Sequence, residues 1–332
     1  MAKNKINNKD GQGDILIDIQ DLKTWYPVKK GVLARTTGYV KAVDGVSLQI
    51  KKGETLGLVG ESGCGKTTLG RTLLRLEKAY AGKVIFSGRD LLKVTEKEMK
   101  GLRKKIQIIF QDPLSSLNPR VNVLDIVTEG VVEFDLLEDD RQSHAKQLVG
   151  EVGLSEDAIY RYPHEFSGGQ CQRISIARAV SVKPEFLVCD EAVSALDVSV
   201  QAQVVNLLID LQKKYRMSYL FISHDLSVVS HIADNIAVMY LGKIVEYGSA
   251  SKIIRNPLHP YTKALINAVP VPGINKRDDE KIILKGEPPS PINPPSGCPF
   301  HPRCNESLEI CTNTIPEVKK TETGFATCHN LF

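Results

Sequence analysis

Between residues 60 and 68 the chain reads Gly60-Glu61-Ser62-Gly63-Cys64-Gly65-Lys66-Thr67-Thr68, and this stretch decides the fold class. It matches the pattern G-x-x-x-x-G-K-[ST], in which glycines let backbone N–H groups approach the phosphates of a nucleoside triphosphate. In this pattern Lys66 places a positive charge between the β- and γ-phosphates, and Thr67 offers its hydroxyl to Mg²⁺. We therefore predict that residues 60–68, called here the phosphate loop, bind a nucleoside triphosphate.

The residues on either side of the phosphate loop predict a strand before it and a helix after it. The apolar run Thr55-Leu56-Gly57-Leu58-Val59 is typical of a buried strand, and residues 68–74 are typical of a helix that begins near Lys66. Such a helix directs the positive end of its dipole at the phosphates. The order of strand, glycine loop and helix indicates an α/β fold.

Composition and charge limit the classes of partner. The 332 residues contain 43 basic and 39 acidic side chains, a formal net charge of +4, which is far from the concentrated positive charge of proteins that bind nucleic acid. No run of 18 apolar residues occurs, and residues 1–13 are polar, which predicts a disordered leader. We expect a cytosolic chain that reaches any membrane through other chains and has no nucleic-acid partner.

Further strands are predicted around the phosphate loop, at residues 15–19, 39–50, 83–89 and 106–110, with a basic loop before residue 39. Gln111 closes the last of these strands, where its amide oxygen can reach Mg²⁺ or an attacking water. An aromatic ring is expected to stack on adenine. Tyr39 is the first candidate and Tyr26 the second, with ordinary surface packing as the alternative.

Residues 114–182 change to helical periodicity and predict a helical subdomain. Near its end, Ser167, Gly168 and Gly169 precede Gln170 and a helix whose apolar residues recur at helical spacing. Small residues at a helix N-terminus can bind an anion, so this turn is a second candidate for phosphate contact. A plain Ser-Gly-Gly turn is the alternative.

Two carboxylates follow the apolar run 186–189, which predicts a strand beside the one that feeds the phosphate loop. In that place Asp190 can meet Mg²⁺ near the Thr67 hydroxyl, and Glu191 can orient and polarise a water for in-line attack. A solvated strand end is the alternative. Asp197 follows shortly after, and His224 comes after one more strand, where it can donate a hydrogen bond to the γ-phosphate.

In this order the motifs resemble those of the ATP-binding subunits of ABC transporters, over residues 15–250. Residues 60–68 resemble the Walker A loop, Gln111 the Q-loop, residues 167–170 the signature, residues 186–191 the Walker B strand, residues 194–197 the D-loop and His224 the H-loop. One departure is Phe166, where leucine is commoner in the family. The resemblance implies a P-loop ABC ATPase domain at 14–254, with a mixed sheet core, a helical signature subdomain, and ATP and Mg²⁺ as ligands.

Residues 110–120, 195–203 and 256–262 narrow the resemblance to the ATPase subunits of oligopeptide and dipeptide importers. The long basic loop before Tyr39 and the residues Gly63-Cys64-Gly65-Lys66 resemble the second of the two ATPases that such importers use. This resemblance implies two ATPase chains packed head to tail, with each ATP between the phosphate loop of one and the Ser-Gly-Gly turn of the other. The second ATPase is expected to be a non-identical paralogue. Two membrane-spanning permease subunits, an extracytoplasmic substrate-binding protein and a peripheral position on the cytoplasmic face of the cell membrane are also implied.

Other functions remain open. The same group includes importers of nickel and of sugars, and soluble ABC ATPases of DNA repair or translation form a different class. These soluble proteins usually carry two cassettes in one chain or a long coiled-coil insertion, and neither pattern occurs here. A regulatory GTPase is a weaker alternative, because the Ser-Gly-Gly turn would then have no task.

The C-terminal tail, residues 255–332, is rich in proline and predicts a separate, irregular appendage. It contains four of the seven cysteines, Cys298, Cys304, Cys311 and Cys328, whereas Cys64, Cys171 and Cys189 lie in core motifs and are predicted to be small packing residues. Clustered cytosolic thiols suggest a metal centre. The spacing is wide for zinc, and four thiolates suit an iron–sulfur cluster. Some peptide-importer ATPases carry a 4Fe-4S cluster in a similar tail; zinc, with or without His301, and reduced thiols are the alternatives.

Overall fold

The computed structural model describes residues 15–31, 35–138, 140–268 and 286–331. The predicted leader lies outside the described residues. The described strands are Ile15–Lys30 (β1), Arg35–Lys51 (β2), Thr55–Val59 (β3), Ala81–Phe86 (β4), Arg89–Asp90 (β5), Ile106–Ile109 (β6), Phe186–Asp190 (β7), Ser218–Ser223 (β8), Asn235–Tyr240 (β9), Lys243–Ser249 (β10), Lys319–Lys320 (β11) and Phe325–Ala326 (β12).

The described α-helices are Lys66–Leu73 (α1), Glu96–Arg103 (α2), Pro113–Ser116 (α3), Val123–Glu133 (α4), Arg141–Glu151 (α5), Gly168–Val180 (α6), Val198–Tyr215 (α7), Leu226–Ile232 (α8), Ala250–Arg255 (α9), Pro260–Asn267 (α10) and Ile310–Asn313 (α11). Short 3₁₀ helices occur at Glu156–Tyr160, Pro163–Glu165 and His301–Arg303. Helices α3 to α6 occupy the region predicted as a helical subdomain.

The strands form two sheets, which confirms the predicted α/β fold with a mixed sheet core. The larger, eight-stranded sheet has the order β11-β12-β10-β9-β3-β8-β7-β6, and the four-stranded sheet has the order β2-β1-β4-β5. In the larger sheet β6, β7, β8, β3 and β9 run parallel, while β10 and β12 are antiparallel additions. Because parallel strands end at the same edge, the segments that follow β3, β6, β7 and β8 meet there.

The strand that ends in Asp190 does not lie beside the strand that feeds the phosphate loop, so this part of the prediction was wrong. Strand β8 pairs with both β3 and β7 and separates them. Helix α1 bridges the gap, because Gly70 lets it approach the sheet closely. A Cβ at Gly70 would lie 2.9 Å from Cδ1 of Ile222 on β8 and 3.0 Å from Cγ1 of Val188 on β7.

The basic stretch before residue 39, predicted as a loop, instead continues the pairing of β1 with β2. The register extends from Ile15↔Lys51 to Lys30↔Arg35. Aromatic side chains favour strand conformation there, since Trp25 stacks on Tyr80 with ring centroids 4.3 Å apart. Tyr39 lies in the same aromatic cluster, 6.0 Å from Trp25.

The C-terminal tail adds strands to the eight-stranded sheet and is not a separate appendage at this edge. Ala326 and Phe325 of β12 pair with Glu246 and Tyr247 of β10, and β11 pairs with β12. Local composition could not predict this pairing, because both strands contain only two residues. The division of the chain at residue 254 stays a prediction.

His259 caps helix α10 from a buried position, with its Nδ1 accepting from the Tyr261 N–H at 3.1 Å. Burial, followed by the charge of Lys263, lowers the pKa of His259 from 6.5 to about 3. Between these two values the unfolded chain binds a proton that the folded chain does not. The free energy of unfolding therefore falls as the pH falls from the ordinary value of 6.5 towards 3.

We expect His259→Asn, which keeps a helix-capping side chain, to remove this part of the pH dependence. Between about pH 7.5 and about pH 5.5, the wild-type protein should lose about 1.4 kcal/mol more stability than the variant. Urea unfolding at the two pH values measures the difference. Equal losses in the two proteins would contradict a neutral, buried His259.

Candidate nucleotide site

The phosphate loop joins β3 to α1 and packs tightly against β2. Gly65 has a φ of +108°, and a Cβ there would lie 2.0 Å from the backbone oxygen of Ala42, so this position requires glycine. The Lys66 side chain is 4% exposed. Its Nζ donates to the backbone oxygens of Gly60 at 2.8 Å and Glu61 at 3.0 Å. The lysine charge is thus held inside the curve of the loop.

The three cysteines predicted to be packing residues, Cys64, Cys171 and Cys189, are all buried. Burial raises the pKa of each thiol. They therefore remain neutral, as small apolar groups do. None of the three offers a thiolate to the nucleotide site.

Thr67 and Asp190 meet across the strand that separates β3 from β7. The Thr67 hydroxyl donates to Oδ1 of Asp190 at 2.7 Å, and Asp190 is 1% exposed. Burial raises the pKa of Asp190, and the hydrogen bond from Thr67 opposes that rise. Within the described part of the chain Oδ2 of Asp190 has no hydrogen-bond partner, and Nε of Arg71 lies 3.8 Å away.

This donor set fits Mg²⁺. The ion prefers oxygen ligands and usually takes only one or two from the protein, completing its shell with phosphate oxygens and water. The Thr67 hydroxyl and the buried, unpartnered oxygen of Asp190 supply such ligands. The amide oxygen of Gln111 is a third oxygen at the same sheet edge.

Three of the predicted site residues surround the carboxylate of Glu191. Nε2 of Gln111 donates to its Oε2 at 3.1 Å, Nδ1 of His224 lies 3.5 Å from the same oxygen, and Nζ of Lys66 lies 3.9 Å from Oε1. Sequence order alone placed Gln111, Glu191 and His224 at strand ends. The structure brings them within reach of the phosphate loop.

The backbone of Glu191 is in the left-handed region, with φ at +47°. A non-glycine residue pays about 1–3 kcal/mol for such a conformation, and it is retained where the neighbouring structure holds it. Here its N–H donates to the backbone oxygen of Ile222, and Ser194 donates to its carbonyl through both its N–H and its hydroxyl. The sequence carried no signal for this strain.

The Ser-Gly-Gly turn caps α6 as predicted, but its hydrogen bonds stay within the turn. Oγ of Ser167 accepts from the Gln170 N–H at 3.4 Å, and Oε1 of Gln170 accepts from the Ser167 N–H at 3.0 Å. Gly168 is exposed and has open space at its Cβ position, whereas Gly169 packs against Val200. Within the described residues, no hydrogen bond of this turn reaches the phosphate loop of the same chain.

The remaining predicted residues, Asp197 and Tyr39, contact other parts of the chain. Asp197 caps α7, accepting from the Val200 N–H at 3.0 Å and the Ser199 hydroxyl at 2.7 Å. Tyr39 is 37% exposed. Its ring is therefore available for stacking on a base, which stays a prediction.

The metal centre predicted for the tail receives no support. The described residues, with gaps at 32–34, 139 and 269–285, contain no group of three or more His, Cys, Asp or Glu side chains that could hold a metal ion. The tail cysteines are Cys298, Cys304, Cys311 and Cys328.

The physical reason lies in the environment of these thiols. Cys298, Cys311 and Cys328 are buried, and Cys298 and Cys311 pack with Phe300 in the larger apolar core. Burial raises the pKa of Cys298 and Cys328, and that of Cys304 to about 11. Metals bind the thiolate, which is the charged form that burial disfavours at Cys298, Cys304 and Cys328.

One contact of the phosphate loop was missed altogether. Arg303 of the tail forms an ion pair with Glu61, 242 positions earlier in the sequence. No sequence motif contains both Arg303 and Glu61. Only a search for acidic residues inside the loop could have raised the question of a partner for Glu61.

Comparison with known proteins agrees with this geometry. A family model described as "ABC transporter" matches residues 43–194, and one described as "Oligopeptide/dipeptide transporter, C-terminal region" matches residues 245–311. The oligopeptide transport ATP-binding protein AppF of Bacillus subtilis (strain 168) is 50% identical over 322 residues, covering 95% of this chain and 97% of the relative. The chain belongs to the ATP-binding subunits of ABC transporters. It is an ABC ATPase.

Other relatives of this ABC ATPase have similar names. The oligopeptide transport ATP-binding protein OppF of Salmonella typhimurium is 51% identical, covering 92% of this chain and 93% of the relative. The dipeptide transport ATP-binding protein DppF of Escherichia coli (strain K12) is 50% identical, covering 92% and 91%. These similarities extend over nearly the full length of both proteins.

Solved structures share the fold of the ABC ATPase. The structure of cbiO1 from Clostridium perfringens, part of the ABC transporter complex cbiONQ, superposes with a TM-score of 0.63 at 26% identity, covering 73% of this chain and 92% of that one. The dimeric post-hydrolysis state of the ATP-binding cassette MJ0796, bound to ADP and Pi, superposes with the same TM-score at 24% identity, covering 71% and 99%. In the described ranges of this chain, every helix is too short or too polar to cross a membrane.

Proposed function

We propose that this ABC ATPase hydrolyses ATP at the edge formed by the phosphate loop, Asp190 and Glu191, and thereby powers the import of peptides across the cell membrane. The observation that carries the catalytic part is the gathering of Lys66, Gln111 and His224 around the Glu191 carboxylate. The peptide cargo is supported by the names of the relatives and by the match of residues 245–311 to the peptide-transporter C-terminal region.

Binding begins with an exchange of partners at Lys66. Its ammonium gives up the backbone oxygens of Gly60 and Glu61 for the β- and γ-phosphate oxygens, while loop N–H groups from Gly63 to Thr68 point at the β-phosphate. Thr67 and Asp190 hold Mg²⁺, which neutralises charge on the phosphate oxygens when it is bound. ATP and Mg²⁺ are the ligands of the proposed site, and no ligand is assigned to the tail cysteines.

Hydrolysis uses the Glu191 carboxylate. It orients a water molecule for in-line attack and accepts its proton as the bond from the γ-phosphorus to the bridging oxygen breaks. Gln111 and His224 hold this carboxylate in place through Oε2, and His224 is half exposed, so its other ring nitrogen is free to face the γ-phosphate. Tyr39 offers its exposed ring to the adenine.

A second chain completes the site. The turn formed by Ser167, Gly168 and Gly169 opens a helix of 13 residues, is exposed, and makes no hydrogen bond to its own phosphate loop in the described residues. We infer that it meets the γ-phosphate bound by a partner ATPase, in a head-to-tail pair. The Asp197 segment lies beside it, because Val200 contacts Gly169.

The remaining partners follow from the same proposal. We expect a non-identical ATPase, two membrane-spanning permease subunits and an extracytoplasmic binding protein, with this chain bound peripherally to the cytoplasmic face. Leu114, 55% exposed in α3 directly after Gln111, supplies an apolar contact for a permease helix. This position would couple hydrolysis at Glu191 to the membrane subunits through Gln111, which contacts the Glu191 carboxylate.

Gly168→Glu tests the shared site. An added side chain has open space at this position, so the fold should persist, while the new carboxylate would repel a partner's γ-phosphate. We expect ATPase activity of the assembly to fall about 100-fold, with ATP binding to the isolated chain unchanged. Gly150→Glu is the control, since Gly150 in α5 also has open space around it. Normal activity of the Gly168 variant would refute the half-site.

The cargo is tested by reconstituting the chain with its neighbouring membrane subunits and binding protein. Labelled dipeptides and oligopeptides should enter vesicles in an ATP-dependent manner, and labelled nickel and oligosaccharides should not. Uptake of nickel or sugar instead of peptide would assign the chain to the nickel or sugar importers of the same group. Failure to co-purify with any membrane subunit would favour a soluble ABC ATPase.

A further inference from the structure

Arg303 of the C-terminal tail forms an ion pair with Glu61 of the phosphate loop. Nη1 of Arg303 lies 2.6 Å from Oε2 of Glu61, and Nη2 lies 2.9 Å from Oε1, so the guanidinium and the carboxylate form a two-pronged pair. Arg303 is 7% exposed, and its guanidinium carbon lies 5.9 Å from the centre of the Tyr240 ring. Bidentate, charge-assisted pairs of this kind fix geometry as well as adding energy.

The backbone of Glu61 is held from the same side. Its N–H donates to the hydroxyl of Tyr261 at 2.9 Å, and Tyr261 is fully buried in α10. The Tyr261 ring packs against Tyr240, with centroids 4.8 Å apart, and against Phe300 of the tail at 5.4 Å. Tyr261 and Arg303, both C-terminal to strand β10, therefore fix the backbone and the side chain of one residue of the phosphate loop.

The same contacts also constrain Lys66, the lysine that is proposed to bind phosphate. The backbone oxygen of Glu61 accepts from Nζ of Lys66 at 3.0 Å. The Lys66 ammonium has two backbone acceptors, the carbonyls of Gly60 and Glu61, and phosphate must replace them. Contacts that fix the position of Glu61 therefore also fix one of these two carbonyls. The contacts run without a break from Arg303 through Glu61 to Lys66.

Charge gives the pair a second role. A carboxylate inside a phosphate-binding loop repels the triphosphate, and the repulsion is large where water is partly excluded. The hydrogen bonds with Glu61 raise the pKa of Arg303, so the guanidinium stays charged and cancels the negative charge of Glu61. Without Arg303 the loop would present an uncompensated anion to its ligand.

We propose that Arg303 is a positioning residue of the ATP site, through which the C-terminal tail sets the affinity of the phosphate loop for ATP. The inference rests on the proposed assignment of residues 60–68 as the ATP site. Arg303 acts through Glu61 and does not touch the nucleotide. Tyr261 provides the second hold on the same residue.

Arg303→Met in the full chain, assembled with its partner subunits for the kinetic measurements, tests this role, because methionine keeps apolar bulk and removes the charge. We expect the KM for ATP, and the Kd of a fluorescent ATP analogue, to rise about tenfold or more, with kcat changed less than about threefold. Arg303→Lys should recover part of the affinity, since lysine restores the charge without the two-pronged geometry. Glu61→Gln combined with Arg303→Met should also recover part, because it removes the unpaired carboxylate.

Lys252→Met is the matched control. Lys252 of α9 forms an exposed ion pair with Glu322 of the tail at 2.5 Å, which also joins the tail to the ATPase sheet. Its loss should leave KM unchanged. An unchanged KM in folded Arg303→Met would overturn the proposal. So would a rise in KM accompanied by an equally large fall in kcat, if neither Arg303→Lys nor the Glu61→Gln double variant recovers them.

The experiment also separates this inference from the site assignment. If Lys66→Ala binds the fluorescent ATP analogue normally, the assignment of the phosphate loop itself is wrong. If Lys66→Ala loses binding while Arg303→Met binds normally, only the positioning role of Arg303 is wrong. Reduced binding in both variants, with partial recovery by Arg303→Lys, supports both.

Discussion

Glu191→Gln stops ATP hydrolysis while the protein still binds ATP. The amide keeps the size and the hydrogen-bonding oxygen of the side chain but cannot accept a proton from the attacking water. General-base catalysis contributes about 10²–10⁴-fold to rates, and we expect a loss of that order in the rate of phosphate release. Binding of a fluorescent ATP analogue should persist, because Lys66, Thr67 and the loop N–H groups are unaltered.

Glu185→Gln is a suitable control for this variant. Glu185 lies directly before β7, the strand that leads to Glu191, but its side chain is 41% exposed and pairs with Lys105. It should hydrolyse ATP at the wild-type rate. Hydrolysis at the wild-type rate by Glu191→Gln, in an assembly with intact partners, would exclude the role that we give to Glu191.

Lys66→Ala is expected to weaken ATP binding about 100-fold or more. The lysine ammonium is buried, so a triphosphate that enters the loop finds the charge already desolvated and near its phosphates. Each charge-assisted hydrogen bond lost contributes about 1.5–3 kcal/mol, and the lysine is expected to contact both the β- and the γ-phosphate. Equilibrium titration with a fluorescent ATP analogue measures the change.

Folding has to be separated from binding in this variant. The Lys66 ammonium also satisfies the backbone oxygens of Gly60 and Glu61, so its removal will loosen the loop. Thermal unfolding without nucleotide should show a small shift, whereas stabilisation by added ATP should disappear. Lys105→Ala, at an exposed lysine, should keep the stabilisation. Unchanged ATP affinity in Lys66→Ala would remove the phosphate loop from the site.

The sequence predicted the local parts of the site well. Strand β3 has the predicted bounds Thr55–Val59, and α1 begins at Lys66, because a short apolar run and a glycine loop determine local conformation strongly. The meeting of Gln111, Glu191 and His224 could be expected from their places at strand ends. Parallel strands finish at one edge, and that rule does not depend on knowing the strand order.

Strand order itself was not predictable in this way. The insertion of β8 between β3 and β7 depends on a pairing between distant segments, which periodicity does not encode. The extension of β1 and β2 through a basic stretch depends on an aromatic contact with Tyr80, some 40 residues further along the chain than Tyr39. Both errors come from tertiary contacts that override local composition.

The tail shows the same limit. Cysteine spacing and compartment suggested a metal centre, whereas burial among apolar neighbours raises the pKa of Cys298 and favours its neutral thiol. The contact between Arg303 and Glu61 spans 242 positions and follows from the way the tail folds back on α10 and the sheet. Neither outcome is visible in local pattern, since each depends on which distant groups surround the residue.

The most direct test of the account measures ATP hydrolysis and peptide uptake in the same vesicles, which contain the complete transporter with either wild-type chain or Glu191→Gln. We predict that the variant loses both activities together while retaining bound ATP. Uptake of labelled peptide at the wild-type rate by the Glu191 variant would contradict the claim that this site powers transport.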